Sequence, residues 1–339
     1  MPDASSTFSA AYVRGVNDVV LRPTAFERVS ADETQLAVDA CGICGTDINA
    51  VRRGSADYVQ IGHEIAGRVL DRDGVPTARR VVLESSSACG RCASCRNGRT
   101  DLCTDVQSFF KRPYFGIAER MLAPTLSVLD YDGIDPAVAT LSEPLGVAID
   151  LCEVAQLTAQ SVVLVVGLGP IGLMAVRLAK LAGAKKIYAA TFSAREKRNA
   201  LALGFGADEL LFEDEISLAQ RKLDPAPDRI LSSAPPSSLG DCVHVAAPGA
   251  HIAFIGVGHG ESDRVVLPGN KFHFKKLQLR ASFAAPALRT PLALELLRDG
   301  RVDGARLISH RFPLADAAEA LRVACTDKNN AIKVVVVNE

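Results

Sequence analysis

The chain has 339 residues, of which 48% are hydrophobic and 23% are charged, the composition of a folded globular protein with room for two domains. Its formal net charge is −1 and it has no dense block of lysine and arginine, so we expect neither a nucleic acid nor a membrane surface as a partner. Apolar runs such as Val162–Val166 are much shorter than the roughly 20 residues that a membrane-spanning helix needs. A secretory signal has a basic segment followed by an apolar one, and Met1–Ser5 begins neither. We therefore expect a cytoplasmic location.

The N-terminal part of the chain alternates short β-like segments, such as Gln35–Ala40, with glycine, aspartate and asparagine. This pattern predicts a compact all-β region over residues 10–75, and a further strand is predicted over Val81–Ser87. A helix is predicted over residues 135–157, because an Asp-Pro pair gives a start signal and apolar residues then recur at helical spacing.

The pattern changes at Val162–Val166, a continuous apolar run typical of a strand that is buried on both faces. Strand-like and helical segments then alternate along the chain. The strands are predicted over residues 186–190, 229–231 and 251–255, and the helices over residues 173–182, 194–203 and 239–246. This alternation predicts an α/β fold with a doubly wound parallel sheet of the Rossmann type.

The tail of the chain returns to a mixed pattern, with helices predicted over residues 291–299 and 314–324 and a closing strand over residues 332–337. The nucleotide-binding domain therefore lies inside the chain, between two pieces of one catalytic domain. We predict the catalytic domain over residues 1–154 and 289–339 and the dinucleotide-binding domain over residues 155–288.

Four of the nine cysteines lie within fifteen positions, as Cys89, Cys92, Cys95 and Cys103. Four thiolates at such spacings can surround a tetrahedral zinc ion at about 2.3 Å and leave no position open for a substrate. An iron–sulfur cluster would use the same ligands, but a lone four-cysteine loop without a second cluster motif favours zinc. Unligated thiols are the remaining alternative. We predict a structural zinc site.

A second, dispersed group of residues could hold a catalytic metal ion. It consists of Cys44, His63 and two carboxylates, Glu64 and Glu143. A catalytic zinc needs about three protein ligands and one open position, and these residue types can supply the ligands. Each residue alone is weak evidence for a metal site, since a single histidine is more often a core residue than a ligand. The group becomes informative in combination with the other motifs.

The run Gly167-Leu168-Gly169-Pro170-Ile171-Gly172 follows the apolar strand and opens a helix, as a dinucleotide-binding loop does. The first glycine permits the tight turn, the second lets the pyrophosphate approach, and the third lets the helix pack on the strand. The N-terminus of the helix then faces the phosphates with its partial positive charge. We predict that this loop binds a dinucleotide.

The order of these motifs resembles the zinc-containing medium-chain dehydrogenase/reductase superfamily over essentially the whole chain. Cys44-Gly45-Thr46-Asp47, Gly62-His63-Glu64 and Glu143-Pro144-Leu145 are most similar to its polyol (sorbitol) and threonine dehydrogenase branch. The resemblance implies a mostly β, GroES-like catalytic domain, two zinc ions per subunit, and a homodimer or homotetramer. It also implies hydride transfer between NAD(P)(H) and a secondary alcohol or ketone.

The same resemblance assigns roles to residues of the dispersed group. It implies a catalytic zinc held by Cys44, His63 and either Glu64 or Glu143. Thr46 takes the position of the hydroxyl that accepts the substrate proton, and Asp47 orients His63 through its second ring nitrogen.

Two features depart from the polyol branch near this group. Asn49 stands where polyol dehydrogenases usually carry a histidine, and because asparagine does not titrate near pH 7, the pH–rate profile should lack that ionisation. The loop over Val51–Ile61 is shorter than usual, which predicts a more open pocket and a bulkier substrate. Candidate pocket residues are Phe109, Phe110 and Tyr114 after the cysteine loop, together with residues of the 270–290 region.

The acidic residue that binds the adenosine ribose in many dinucleotide sites is missing. Its position falls on Thr191 or Ser193, depending on the alignment, and Arg195 and Arg198 follow closely. A carboxylate repels a 2′-phosphate, whereas its absence together with arginine would accommodate one. We therefore expect NADP(H) to be preferred over NAD(H), with the solvated face of a helix as the alternative role of these cations.

Two other functions are weighed against a zinc-dependent dehydrogenase. A quinone or enoyl reductase of the same superfamily lacks zinc, and the intact ligand set argues against it. A non-catalytic relative would keep the fold for cofactor binding alone, which the retained ligand residues and Thr46 disfavour. The alcohol itself stays open among sugars, polyols, amino alcohols and aminocyclitols.

Overall fold

Two sheets of different pattern organise the protein in the computed structural model, which describes residues 7–338. One has seven strands, mostly antiparallel, and the other has six strands, all parallel. They belong to two units, one formed by the chain up to Gly146 together with the chain from Ala284, the other by Val147–Phe283. The predicted domain boundaries after residues 154 and 288 stay a prediction. The segment Met1–Ser5 lies outside the described residues.

The strands, numbered in chain order, are β1 Phe8–Gly15, β2 Asp18–Thr24, β3 Glu33–Gly42, β4 Glu64–Leu70, β5 Pro76–Leu83, β6 Arg120–Pro124, β7 Val128–Asp130, β8 Val162–Val166, β9 Lys186–Thr191, β10 Glu209–Phe212, β11 Arg229–Ser232, β12 His251–Phe254, β13 Gln278–Ala281, β14 Ile308–Pro313 and β15 Lys333–Val337. The helices are α1 Gly45–Arg53, α2 Ala93–Arg96, α3 Pro136–Ala139, α4 Ser142–Ala155, α5 Pro170–Leu181, α6 Glu196–Phe205, α7 Leu239–Val245, α8 Gly269–Phe274, α9 Thr290–Arg298 and α10 Ala317–Thr326.

The first unit is built on the sheet β14-β15-β3-β4-β5-β7, with β6 added beside β3. Apolar side chains at alternate positions of β3, such as Leu36 and Val38, enter a core that also contains Ile65 and Met121. Alternate burial is what a strand with one core-facing side requires. The closing strand β15 pairs with β3 and so brings residues near the end of the chain beside the Cys44 segment.

The second unit is the six-stranded sheet β10-β9-β8-β11-β12-β13. All five residues of β8 are buried, since helices cover both faces of a doubly wound sheet. The chain moves from β8 to β9 on one side and later returns to β11 on the other, so the strand order reverses at β8. Ligands of such sheets bind at the carboxyl ends of the strands at this reversal. The predicted fold class, a Rossmann sheet plus a mostly β domain, is confirmed.

Two local predictions were wrong. The region predicted as all-β contains helix α1, which Asp47 stabilises at its start and which buries Val51. The strand predicted over Val81–Ser87 ends at Leu83, because the serines that follow form hydrogen bonds with loop residues instead of a neighbouring strand. For example, the hydroxyl of Ser108 donates to the carbonyl of Ser85. None of the described helices is long and apolar enough to cross a bilayer.

Candidate active site and cofactor loop

Asp47 joins the two segments that carry Cys44 and His63. It lies in the first turn of α1, and its carboxylate accepts the backbone N–H of Cys44 at 2.9 Å and that of Gly62 at 3.2 Å. The carboxylate is buried, so each of these bonds is shielded from water. Gly62 is required here, because its φ is +100° and an added Cβ would lie 2.6 Å from the sulfur of Cys41. Cys41 itself is packed in the core.

The imidazole of His63 lies between Asp47 and Cys44. Its Nδ1 is 3.5 Å from Oδ1 of Asp47, which leaves Nε2 for a metal ion. Burial lowers the pKa of His63, but the negative charges of Asp47 and Cys44 outweigh it and hold the pKa well above the usual value. Burial likewise raises the pKa of Asp47, yet His63 brings it below its usual value. The surroundings therefore favour a positive charge at this point, as a metal site requires.

Glu64 is held by a lysine, Lys333, that the sequence did not predict. The Nζ of Lys333, on β15, lies 2.7 and 2.6 Å from the two carboxylate oxygens of Glu64 and also donates to the carbonyl of Ile43 at 3.2 Å. The two side chains are 2% and 0% exposed. Burial lowers the pKa of Lys333, but the charge of Glu64 outweighs it and the pKa is raised. A lysine inside an apolar strand was the available sign of a buried acidic partner.

Glu143, in the first turn of α4, is held differently. Among the described residues its hydrogen-bond partner is the hydroxyl of Ser85, which donates to Oε1 at 3.3 Å. Burial raises the pKa of Glu143; the charges of His63 and Lys333 act against this, and that of Glu64 adds to it. Its carboxylate has one long neutral hydrogen bond and lies near enough to His63 for their charges to interact, which fits a zinc ligand.

The three aromatic candidate pocket residues differ in how deeply they are buried. Phe109 is fully buried, and the buried Tyr114 uses its hydroxyl to accept the backbone N–H of Glu27. Phe110 is 51% exposed, and its ring centroid is 5.7 Å from that of His63. Phe110 is therefore the one of the three that presents an apolar surface beside His63. Thr46 is exposed at the start of α1.

The four cysteines of the short loop converge. The ligand atoms of Cys89, Cys92, Cys95 and Cys103 all lie within 4.8 Å of one another, and they form the only group with this property among residues 7–338. The sulfur of Cys103 is 3.6 Å from that of Cys89. The backbone N–H groups of Cys95 and Thr104 donate to Cys92 and lower the pKa of its thiol to about 5, whereas burial and the neighbouring sulfurs raise the pKa of Cys95 to about 12. The loop is thus shaped for a tetrahedral ion bound by thiolates.

The glycine loop joins β8 to α5. Gly167 has φ +87°, and a Cβ at Gly172 would lie 1.8 Å from the carbonyl oxygen of Gly167, so both positions require glycine. A Cβ at Gly169 meets no protein atom within 4 Å, which leaves open space in front of the helix. Pro170 occupies the first helical position, and Ile171 follows it. This geometry fits a dinucleotide pyrophosphate at the N-terminus of α5.

Thr191 and Ser193, the two candidate ribose-binding residues, have different surroundings at the end of β9. Thr191 is buried, and its hydroxyl donates to Asn199 at 2.9 Å, whereas Ser193 is exposed. The guanidinium of Arg195 lies 5.2 Å from the ring centroid of Phe192. Arg198 is turned toward the glycine loop, where its Nη1 donates to the carbonyl of Leu168 at 3.0 Å. Burial, together with the charge of Arg195, lowers the pKa of Arg198 to about 10.

A carboxylate that the sequence did not predict at this point contacts Ser193. Asp214, two residues after β10, accepts the backbone N–H of Ser193 at 3.0 Å and its hydroxyl at 2.5 Å. Strand β10 itself was not predicted, and the only sign in the sequence was the acidic run Glu213-Asp214-Glu215 directly after the apolar residues of that strand. The position of the missing acid thus has a carboxylate beside it, supplied by a different strand.

A GroES-like β domain in which Asp47 contacts both the Cys44 segment and His63, in one chain with a Rossmann sheet, is typical of zinc-dependent dehydrogenases. Residues 30–131 match the family described as alcohol dehydrogenase GroES-like domain, and residues 170–299 match zinc-binding dehydrogenase. The two matches together span most of the chain. The chain belongs to the zinc-containing medium-chain dehydrogenase/reductase superfamily, in its polyol dehydrogenase branch, and is an enzyme.

Individual relatives agree with this assignment. L-galactonate-5-dehydrogenase of Escherichia coli (strain K12) is 27% identical over 90% of this chain and 92% of its own length. Sorbitol dehydrogenase of Arabidopsis thaliana is 28% identical over 96% and 94%. A zinc-binding dehydrogenase from Sinorhizobium meliloti 1021, solved with NADP bound, is 26% identical with a TM-score of 0.85 and covers 98% of this chain and all of that one.

Proposed function

We propose that the protein interconverts a secondary alcohol and a ketone of the polyol or sugar-acid class, using zinc and NAD(P)(H). The observation that carries this proposal is the placement of Cys44 and His63 around the buried Asp47, with Glu143 close enough to His63 for their charges to interact. The relatives named above act on a sugar acid and on a polyol, which supports this substrate class.

The proposed ligands of the catalytic zinc are Cys44, His63 and Glu143. When bound, zinc supplies a Lewis acid that polarises the substrate oxygen and favours the alkoxide near neutral pH. Glu64 would have to give up two charge-assisted bonds to Lys333 before it could bind the metal, whereas Glu143 would give up one long bond to a hydroxyl. Glu143 is therefore the third ligand in this proposal, and Glu64 and Lys333 form a buried ion pair whose net charge is zero.

The remaining residues of the site position groups and move a proton. Asp47 holds the imidazole of His63 by its Nδ1 side and fixes the start of α1, which carries Cys44. Thr46 is exposed in the first turn of that helix, so its hydroxyl can accept the substrate proton and pass it to water. Asn49, one turn further along, cannot take up that proton.

A second zinc is proposed in the four-cysteine loop. All four coordination positions would be occupied by Cys89, Cys92, Cys95 and Cys103, so this ion would stabilise the loop and would not touch the substrate.

For the cofactor, the proposal includes a preference for NADP(H). The end of β9 carries no carboxylate, and Arg195 lies within two residues of Ser193. The relative from S. meliloti was solved with NADP bound, which supports NADP(H) as a cofactor of this fold. A cytoplasmic location is part of the proposal as well.

A homo-oligomer is also proposed. Among the described strands, β13 pairs only with β12, so its outer edge offers free backbone donors and acceptors. Apolar side chains lie near this edge in sequence, with Phe274 78% and Phe283 80% exposed. Light scattering should show a dimer or tetramer, and Leu279→Lys, which places a charge on the edge strand, should yield monomers.

The experiment that tests the proposed function is an activity screen over secondary alcohols and ketones with NAD(H) and NADP(H) separately, with zinc measured in the same samples. Turnover of a polyol or sugar acid that disappears in Cys44→Ser supports the proposal. Turnover of quinones or enoyl compounds by a zinc-free sample favours the reductase alternative, and cofactor binding without any turnover favours the non-catalytic one.

A further inference from the structure

Asp214 reaches Ser193 because two neighbouring strands end at the same edge of the parallel sheet. Leu211 and Phe212 of β10 pair with Ala190 and Thr191 of β9. Beyond the strand, the backbone N–H of Glu213 still donates to the carbonyl of Thr191 at 2.8 Å. The segments after β9 and β10 therefore run side by side, and the next residue, Asp214, faces the start of the loop that leads to α6.

The carboxylate of Asp214 uses both hydrogen-bond donors of Ser193. The backbone N–H lies 3.0 and 3.2 Å from its two oxygens, and the hydroxyl lies 2.5 Å from Oδ2. These bonds from Ser193 hold the pKa of Asp214 below its usual value, so the carboxylate is charged at neutral pH. It is exposed, and a ligand at the end of β9 can reach it.

We propose that Asp214 is a specificity-determining residue that reads the 2′ position of the adenosine ribose and disfavours NADP(H). This inference rests on the proposed cofactor site at the glycine loop. A carboxylate can accept a hydrogen bond from the 2′-hydroxyl of NAD(H). A 2′-phosphate would meet the same negative charge and would find the donors of Ser193 already engaged.

Arg195 acts in the opposite direction. It is partly exposed and lies two residues beyond Ser193, with its guanidinium over the ring of Phe192, from which it can turn toward a phosphate. The balance between NADP(H) and NAD(H) is thus set by one cation and one anion at the ribose. The acid usually placed at the end of β9 is absent, and Asp214, from the segment after the neighbouring strand, takes its place and acts against the NADP(H) preference.

The test compares the wild type with Asp214→Asn, which keeps the shape of the side chain and removes its charge. The probes are NADH and NADPH, and binding is followed by the fluorescence of the reduced nicotinamide. The chain has no tryptophan, so energy transfer from tryptophan does not contribute to this signal. The matched control is Glu215→Gln, which removes an exposed charge from the adjacent residue. Circular dichroism of each variant checks that the fold is retained.

We expect Asp214→Asn to raise the affinity for NADPH relative to NADH about tenfold, the effect of losing one close like charge, and Glu215→Gln to change the ratio less than twofold. A ratio that stays constant in Asp214→Asn, or that changes equally in the control, overturns the inference while leaving the proposed function intact. A wild-type protein that binds neither cofactor overturns the proposed function itself and this inference with it.

Discussion

Replacing Lys333 by methionine tests whether Lys333 and Glu64 form a buried ion pair, on which the choice of Glu143 as the zinc ligand depends. Methionine is similar in length and apolar, so the packing of β15 is largely kept while the cation is removed. Glu64 is 0% exposed and would lose the donor that lies within 2.7 Å of both its oxygens. Breaking a buried ion pair in this way costs about 3–5 kcal/mol, because one charge is left without compensation.

The assay is equilibrium unfolding in urea, followed by circular dichroism, on protein treated with a chelator. Lys333→Met should be less stable than the wild type by the amount given above. The double variant Glu64→Gln with Lys333→Met should recover much of the loss, because neither charge of the pair then remains buried. A loss below about 1 kcal/mol in the single variant, or no recovery in the double variant, would refute the reasoning.

Zinc adds a second readout to the same variants. In Lys333→Met the carboxylate of Glu64 is released and becomes available to a metal ion at the neighbouring site. Adding zinc should therefore restore more stability to Lys333→Met than it adds to the wild type, since a ligand that binds only the folded state stabilises it. Equal gains in the two proteins would show that Glu64 stays away from the metal even without its lysine.

Three further predictions concern other parts of the chain. Gly172→Ala should lower both thermal stability and NAD(P)H affinity, because its Cβ would lie 1.8 Å from the carbonyl oxygen of Gly167. Gly169→Ala should weaken cofactor binding alone, because its Cβ meets no protein atom within 4 Å. Equal melting temperatures for the two variants would contradict this prediction. Cys95→Ser should lower the zinc content by one ion per subunit and the melting temperature with it, and an unchanged content would rule out the four-cysteine site. Asn49→Ala should leave the pH–rate profile unchanged, and a displacement of a full pH unit would show that this residue takes part in the proton path.

The elements that the sequence predicted well are those whose pattern is local. The apolar run of β8 and the glycine loop after it lie within eleven consecutive residues, and the structure places them as predicted. The Cys44–Asp47 segment is similarly compact, and the family resemblance carried by this motif implied that Asp47 orients His63. Helix α1 was missed because nine residues between strands carry too little periodicity to stand out.

The residues that the sequence did not predict act over long distances. Lys333 is 269 positions from Glu64, and the pairing of β15 with β3, which the closing apolar strand alone does not specify, brings them together. Asp214 meets Ser193 only because β10 lies beside β9 in the sheet. Phe109 and Phe110 are adjacent in sequence, yet only the second is exposed beside His63, since one short turn decides which ring enters the core.

The measurement that tests the central claim most directly is the zinc content of Glu143→Gln, beside that of the double variant Glu64→Gln with Lys333→Met. If Glu143 is the third ligand, Glu143→Gln should lose the catalytic zinc and its activity while keeping the zinc of the four-cysteine loop, and the double variant should keep both ions. Retention of both ions in Glu143→Gln, with loss of one in the double variant, would assign the metal to Glu64 and contradict the proposed site.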